Sequence, residues 1–499
     1  MNILDLLAGK PEAPALLAPN YPTLTYQQLQ DNIANLVQQL HTFGLGQGDR
    51  LAIVMTNGAP MVITFLAAAL CGTAAPLNPK YKQEEFSFYY EDIQAKALIT
   101  LPDTVEMAIA AAPTIMSVIV AQIQSDGTLI FNCVRPGVNN TMPSDAAVPN
   151  SDAVAMILHT SGTTSRPKRV PIRHRNLIAS AQNIIGVYQL TANDVNLCLM
   201  PLFHIHGLVG CLLSTFASGG TLVCPAGFNA LEFWKLVENY RPTWYSAAPT
   251  MHQMILARAN RNLDIVKAHP FRFIRSSSAP LPPVIIEQLE ATLQSPVIES
   301  YSMTEAAHLM ATNPVPPQTR KPGTVGYGFG VEVNIMDEDG QLLPTGSLGE
   351  VVVKGANVID GYENNPEANA TAFVNGWFRT GDQGVIDTEG YLRLTGRLKE
   401  IINRGGEKIS PLEIDDVLLR HPAVAEALAF AVPHRSLGED IQAAVVLKSA
   451  VSEQDLKDHC AKTLADFKVP QQLHILTELP RGATGKLQRL NMAKLLGLS

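Results

Sequence analysis

The sequence predicts an α/β protein: a large N-terminal domain of parallel-sheet βα layers, a more antiparallel β region, and a small α+β unit at the C-terminus. Three observations carry this. Short apolar strand-like runs alternate with helical patterns through the first part of the chain, and repeated βα units imply parallel sheets with helices on their faces. The turn sequence Asp337-Glu338-Asp339-Gly340 then falls between two β-like runs, 332–336 and 349–353, and reads as a hairpin. From Arg397 onward the patterns describe a unit of about a hundred residues, a size that folds alone.

In chain order, Thr25 caps a helix over 26–43 with Leu29, Ile33, Leu36 and Leu40 on one face, and Gly44 stops it. A short buried strand follows at 51–55, then an apolar helix and a strand near 97–100. The same rhythm returns at 196–200, 207–216 and 221–224, and again at 243–246. The tail reads as a hairpin after 397, a helix opening near Pro411, strands at 426–432 and 442–448, and a helix over 452–464. The short charged segment Gly396-Arg397-Leu398-Lys399-Glu400 joins it to the rest, so the domains are drawn as 1–396 and 397–499.

Composition narrows the class. With 46% apolar and 16% charged residues the 499-residue chain has material for large cores, and its length suggests about three domains. A formal charge of −8 without a long basic run argues against nucleic acid or an anionic membrane as partner. The cysteines Cys71, Cys133, Cys198, Cys211, Cys224 and Cys460 are scattered without metal-like spacing, which predicts free thiols in a reducing compartment. The longest apolar stretch, 61–77, is too short to span a bilayer. The first residues lack a basic run and the last three are not a peroxisomal address, so a cytoplasmic location is expected. Oligomeric state is not legible.

The most informative segment is His159-Thr160-Ser161-Gly162-Thr163-Thr164-Ser165-Arg166-Pro167-Lys168, which leaves the apolar run 153–158. Hydroxyls and free backbone N–H groups wrap phosphate oxygens, and the two cations neutralise them. A Walker loop is excluded, because no glycine immediately precedes Lys168 and no Ser or Thr follows it. The competing reading is a polar turn. The loop is expected to hold a nucleotide triphosphate.

Taken with five further segments, this loop resembles the adenylate-forming superfamily of acyl-CoA synthetases over nearly the whole chain. Those segments are Pro201-Leu202-Phe203-His204, Ser300-Tyr301-Ser302-Met303-Thr304-Glu305, Arg379-Thr380-Gly381-Asp382, the stretch 390–410, and Pro480-Arg481-Gly482-Ala483-Thr484-Gly485-Lys486. The resemblance implies a β-barrel-like subdomain within the large domain and a mobile small domain. It implies ATP, Mg2+ and CoA as co-substrates and cofactor. Thr160, Ser161, Gly162, Thr163, Thr164 and Lys168 would bind phosphate, with Lys168, Thr304 and Glu305 catalytic.

Glu305 is the implied Mg2+ ligand, since hard cations choose carboxylate oxygen; its plainer reading is a helix-start carboxylate. Asp382 and Arg397 are implied at the ribose and phosphate, and Asp382 also reads as a plain turn residue. Ser276, Glu299, Ser300 and Tyr301 resemble the adenine walls, with Tyr301 as a stacking face. Lys486 resembles the lysine that swings in to bridge the attacking carboxylate and the α-phosphate. Lys399 stands at the hinge position and is otherwise a surface lysine. Gly405 and Gly406 resemble the element lining the pantetheine tunnel, a role compatible with a simple hairpin turn. Ser165 and Arg169 depart from the family's usual glycines, and Arg169 either adds a phosphate contact or points outward.

The acid is read from polarity. A tunnel for an alkyl tail would be lined by apolar and small groups, whereas Ser278, His308 and His206 suit a second carboxylate. Segments 158–168, 244–253, 271–279 and 304–314 are similar to the oxalate–CoA ligase branch, which implies oxalate as the acid, with Ser278 and His308 in direct contact and His206 as a third. The plainer readings are that His308 caps its own loop, Ser278 faces adenine and His206 is a core histidine. Remaining alternatives are a ligase for medium-chain or aromatic (4-coumarate-like) acids, an enzyme acylating a carrier protein, and a non-catalytic nucleotide-binding protein.

Overall fold

The computed structural model describes residues 1–102, 106–137, 148–160, 167–481 and 487–498. Helix 26–43 is realised as Tyr26–Thr42: the Thr25 hydroxyl accepts from the Gln28 N–H while the Gln28 side chain accepts from the Thr25 N–H. That reciprocal cap satisfies two donors the first turn leaves free. Leu29, Ile33, Leu36 and Leu40 are all buried, and Gly44 reverses the chain at φ +76°.

Two large sheets dominate. One runs Tyr327–Gly328, His308–Thr312, Val297–Met303, Phe273–Ser276, Trp244–Ala247, Val195–Cys198, Thr221–Val223, Pro14–Ala18, Tyr21–Thr25. The other runs Leu129–Arg135, Ser117–Ile123, Ala97–Thr100, Arg50–Val54, Thr73–Pro76, Val154–Thr160, Lys168–Arg173. Both are parallel in the middle and antiparallel at the edges. Their inner faces share one core with the helices Tyr26–Thr42, Ala59–Cys71 and His174–Tyr188. Ala59–Cys71 touches strands of both sheets and is buried on every side, which explains why its sequence is apolar without a polar stripe. Helices Phe233–Tyr240, Pro249–Ala259 and Pro283–Leu293 cover the outer face of the first sheet, and Gln83–Asp92 that of the second. No helix of the described residues is long and apolar enough to cross a membrane.

The expected barrel-like region is an antiparallel five-stranded sheet of Glu332–Met336, Gly349–Lys354, Trp377–Ile386, Phe373–Val374 and Leu392–Arg397. One detail differs from expectation. Glu332–Met336 and Gly349–Lys354 pair antiparallel as expected, but the Asp337–Gly340 turn first folds back to bridge Met336 with Leu342, with the Asp337 N–H and carboxylate closing on Gln341. Residues 343–348 make the remaining connection.

Sheet membership changes after Arg397. The turn Leu398–Glu400 leads into a separate sheet, Glu407–Ile409, Ile402–Arg404, Gly438–Leu447, Val424–His434, with Gln472–Leu476 added in parallel. With helices Pro411–Leu419 and Glu453–Ala461 it encloses its own core.

Candidate functional site

The parallel strands of both large sheets end on the side from which the loops of interest leave. In such sheets ligands bind beyond the carboxyl ends of the strands. Val154–Thr160 and Lys168–Arg173 form a hairpin with Thr160 opposite Lys168, so the loop departs from a fixed base. Ser161, Gly162, Thr163, Thr164 and Lys486 lie outside the described residues, as does Ser165.

Arg169 takes neither orientation expected of it. Its guanidinium turns back into the fold, donating to the Asp92 carbonyl and lying 3.3 Å from Glu363 and 3.8 Å from the Asp92 carboxylate. Glu363 also meets Arg50 at 2.5 Å, and Asp92 meets His159 at 3.0 Å. The neighbour of Glu363 is Tyr362, whose ring lies 4.4 Å from Lys168 Nζ. The Tyr362 hydroxyl donates to Glu305 Oε1 at 2.8 Å, and burial and that carboxylate push the phenol's pKa up. One chain of contacts therefore runs from the base of the loop to Glu305. Glu305 is buried, and its Oε2 takes no hydrogen bond among the described residues. A single carboxylate with one oxygen left over fits Mg2+, which binds through one or two carboxylates and substrate phosphates. Thr304 opens the short turn Thr304–Ala306 that presents Glu305.

A second group gathers around Asp382. It stands opposite Arg397 on the antiparallel strands Trp377–Ile386 and Leu392–Arg397, and the pair is 3.1 Å apart. The Tyr301 hydroxyl donates to the other oxygen of Asp382. Burial and that carboxylate hold the Tyr301 phenol protonated well above its usual range. Ser276 stands opposite Glu299, and the Ser300 hydroxyl donates to the Ser276 carbonyl at 3.2 Å. Glu299 accepts from the Gly323 N–H at 3.1 Å, but burial pushes its pKa up to about 8. The structure thus brings Ser276, Glu299, Ser300, Tyr301, Asp382 and Arg397 together. Lys399 sits exposed in the Leu398–Glu400 turn. Gly405 and Gly406, at φ +61° and +97°, make the tight turn between Ile402–Arg404 and Glu407–Ile409, a backbone L side chains rarely adopt.

The third group holds Ser278, His206 and His308. His206 begins a π-helical segment, His206–Leu213, Ser278 follows the strand Phe273–Ser276, and His308 opens the strand His308–Thr312. His206 Nδ1 is 2.9 Å from Ser278 Oγ, and its Nε2 is 2.6 Å from Ser246 Oγ. The rings of His206 and His308 stack with centroids 5.1 Å apart. His308 Nε2 lies 2.7 Å from the guanidinium of Arg275. Burial, then the Arg275 charge, push both histidines well below the usual range, so both are neutral. Sequence reasoning missed Arg275, Ser246 and Tyr362; a charged residue inside the apolar strand Phe273–Ser276 was the available signal for the first.

Fold and clustered polar groups together are those of an adenylate-forming enzyme. The comparison with known families is direct: the AMP-binding enzyme family matches residues 6–363, and the AMP-binding enzyme C-terminal domain matches 413–486. The chain belongs to the AMP-binding enzyme family and is an acid–thiol ligase. It is 43% identical to an oxalate–CoA ligase of Arabidopsis thaliana, over 99% of this chain and 98% of that one. It is 42% identical to an oxalate–CoA ligase of Saccharomyces cerevisiae over 89% and 86%. Among solved structures, o-succinylbenzoate CoA synthetase of Bacillus subtilis in complex with its acyl-adenylate intermediate is 32% identical, with a TM-score of 0.84 over 99% of this chain and 98% of that one.

Proposed function

We propose that this enzyme is an ATP- and Mg2+-dependent oxalate–CoA ligase, producing oxalyl-CoA, AMP and pyrophosphate. The observation that carries the acid is the cluster of half-buried Ser278 with buried His206 and His308, three neutral polar groups where an alkyl tunnel would need apolar walls. Removed from water, a second carboxylate needs donors, and these groups can supply them. The relatives from Arabidopsis and Saccharomyces support the same acid.

In the first half-reaction a carboxylate oxygen of the acid attacks the α-phosphorus and pyrophosphate leaves. Thr160 to Thr164 and Lys168 hold the phosphates, Lys168 and Lys486 balance charge at the α-phosphate, and Asp382 and Arg397 hold the ribose side. Glu305, aided by Thr304, would hold Mg2+, which supplies charge neutralisation on the polyphosphate. Ser276, Glu299, Ser300 and Tyr301 wall the adenine. In the second half-reaction the small domain, 397–499, turns about Lys399, and the CoA thiol reaches the acyl carbon past Gly405 and Gly406, releasing AMP. A cytoplasmic setting suits these soluble substrates and the free cysteines.

The test is AMP release from ATP with oxalate, malonate, octanoate and 4-coumarate, each with and without CoA. Oxalate-selective, CoA-dependent turnover is expected. Turnover with octanoate or coumarate in preference to oxalate would sink the assignment of the acid while leaving the nucleotide chemistry intact.

A further inference from the structure

Arg275 lies on the strand Phe273–Ser276 with its side chain fully buried, and no salt bridge to it occurs among the described residues. A guanidinium has only donors, so every neighbour it meets must accept. Its Nε donates to the Tyr188 hydroxyl at 2.8 Å, one Nη approaches His308 Nε2 at 2.7 Å, and the other reaches Ser246 Oγ at 3.4 Å. His308 is neutral, and with Nε2 accepting, its single proton stands on Nδ1. That Nδ1 is buried and has no hydrogen-bond partner among the described residues.

The second branch follows the same rule. Ser246 Oγ accepts from Arg275 and is left free to direct its own proton to His206 Nε2 at 2.6 Å, the direction taken here. His206 then carries its proton on Nδ1 and donates to Ser278 Oγ at 2.9 Å, which frees the Ser278 hydroxyl proton. Both branches end in a donor, His308 Nδ1–H and Ser278 Oγ–H. Gly210 makes the arrangement possible: a Cβ there would stand 2.5 Å from His308 Nε2 and 2.9 Å from Arg275 Nη1.

We infer that Arg275 is a positioning residue that sets both histidines as Nδ1–H tautomers, so that the acid site presents two donors and an unneutralised positive charge to the distal carboxylate of a short dianionic acid. This rests on the oxalate reading for its substrate class, but the tautomers are a property of the protein alone. The expected signature is therefore tested first by 15N NMR of the histidine-labelled full-length enzyme without acid, with assignment by His206→Gln and His308→Gln. Both rings should show the proton on Nδ1; a proton on Nε2 of His308 would overturn the inference whatever the substrate proves to be.

Kinetics supply the second readout. Arg275→Lys keeps the charge but cannot reach Ser246, His308 and Tyr188 together. It should raise KM for oxalate at least tenfold, leave KM for ATP within twofold, and lower the preference for oxalate over acetate by a similar factor. Equal losses with oxalate and acetate would refute a role toward the distal carboxylate. Gly210→Ala separates Arg275 from His308 without altering charge and should give the same selective loss, so it decides the matter if Arg275→Lys fails to fold. If the wild type ignores oxalate, the substrate assignment fails, and the NMR result still stands or falls independently.

Discussion

Asn357 offers a strict test of how Glu305 and His308 are held. Its side chain is fully buried, and its Nδ2 donates to the carbonyls of Ala306 and Leu309, each at 2.8 Å. Between those carbonyls lie Ala307 and His308, at φ +44° and +108°, a left-handed reversal that non-glycine residues adopt at a cost. One amide therefore pins the bend that carries Glu305 on one side and His308 on the other. Asn357→Leu strips the shared donor from two buried carbonyls, at about 1–3 kcal/mol each. It also removes an Oδ1 that has no partner, which recovers about 1–2 kcal/mol. The net loss is on the order of 2–3 kcal/mol. With an unfolding entropy of about 2 cal/mol/K per residue over roughly 400 residues, the melting temperature of the large domain should fall by about 3 °C. A displaced bend should lower kcat/KM for the acid on the order of tenfold, through about 1.4 kcal/mol of lost positioning. Scanning fluorimetry and AMP-release kinetics measure both quantities, and AMP binding without acid should be unchanged within twofold. A variant that melts and turns over like the wild type would show that the reversal is held by something other than Asn357.

Three further outcomes are expected. Tyr362→Phe removes the hydroxyl 2.8 Å from Glu305 Oε1; loss of such an orienting partner typically costs about 10–100-fold, so the Mg2+ concentration for half-maximal rate should rise about tenfold in a magnesium titration. Glu299 is raised to about 8 by burial, so the folded protein binds a proton there that the unfolded chain has released above its ordinary range, and stability falls as pH rises from about 4.5 to about 8. Glu299→Gln should flatten this segment of the melting-temperature profile, measured without nucleotide, and a slope identical to wild type would exclude Glu299 as its source. Lys486→Ala should slow adenylation by roughly a hundredfold or more while supplied acyl-adenylate still reacts with CoA; equal failure of both half-reactions in single-turnover assays would refute the alternation of the small domain.

What the sequence made legible was periodic or local. The helix capped by Thr25, the βα rhythm and the tail unit all follow from spacing, and Asp382 with Arg397 and the Ser278–His206–His308 group meet in space as expected. What it concealed depended on distant partners. Arg169 is held by Asp92 and Glu363, 77 residues before it in the first case, so no local pattern could decide its direction. Tyr362 reaches Glu305 across 57 residues, and Ser246 reaches His206 across 40. The Asp337–Gly340 turn and the antiparallel pairing of 332–336 with 349–354 were both legible, whereas the extra fold-back onto Leu342, closed by Asp337 on Gln341, was not.

On the oxalate reading, the same polar wall that accepts a dianion also explains how longer acids would be refused. Selectivity by an apolar pocket is weak, because a missing methylene forfeits only about 1–3 kcal/mol. A site built of buried donors discriminates more strongly, since a ligand that cannot accept leaves them unpaired; the rejection reaches about 10⁴–10⁵-fold. His206, His308 and Arg275 are all at most 2% exposed, so an alkyl tail placed against them finds no water to take over their hydrogen bonds. Gly207 and Gly210 hold the π-helical segment close: a Cβ at Gly207 would meet the Pro201 carbonyl at 2.3 Å, and one at Gly210 would strike His308. Enlarging the pocket for a longer acid would therefore require moving backbone and dismantling the donor network together, and a single small side chain in place of His308 should cost oxalate turnover without creating octanoate turnover.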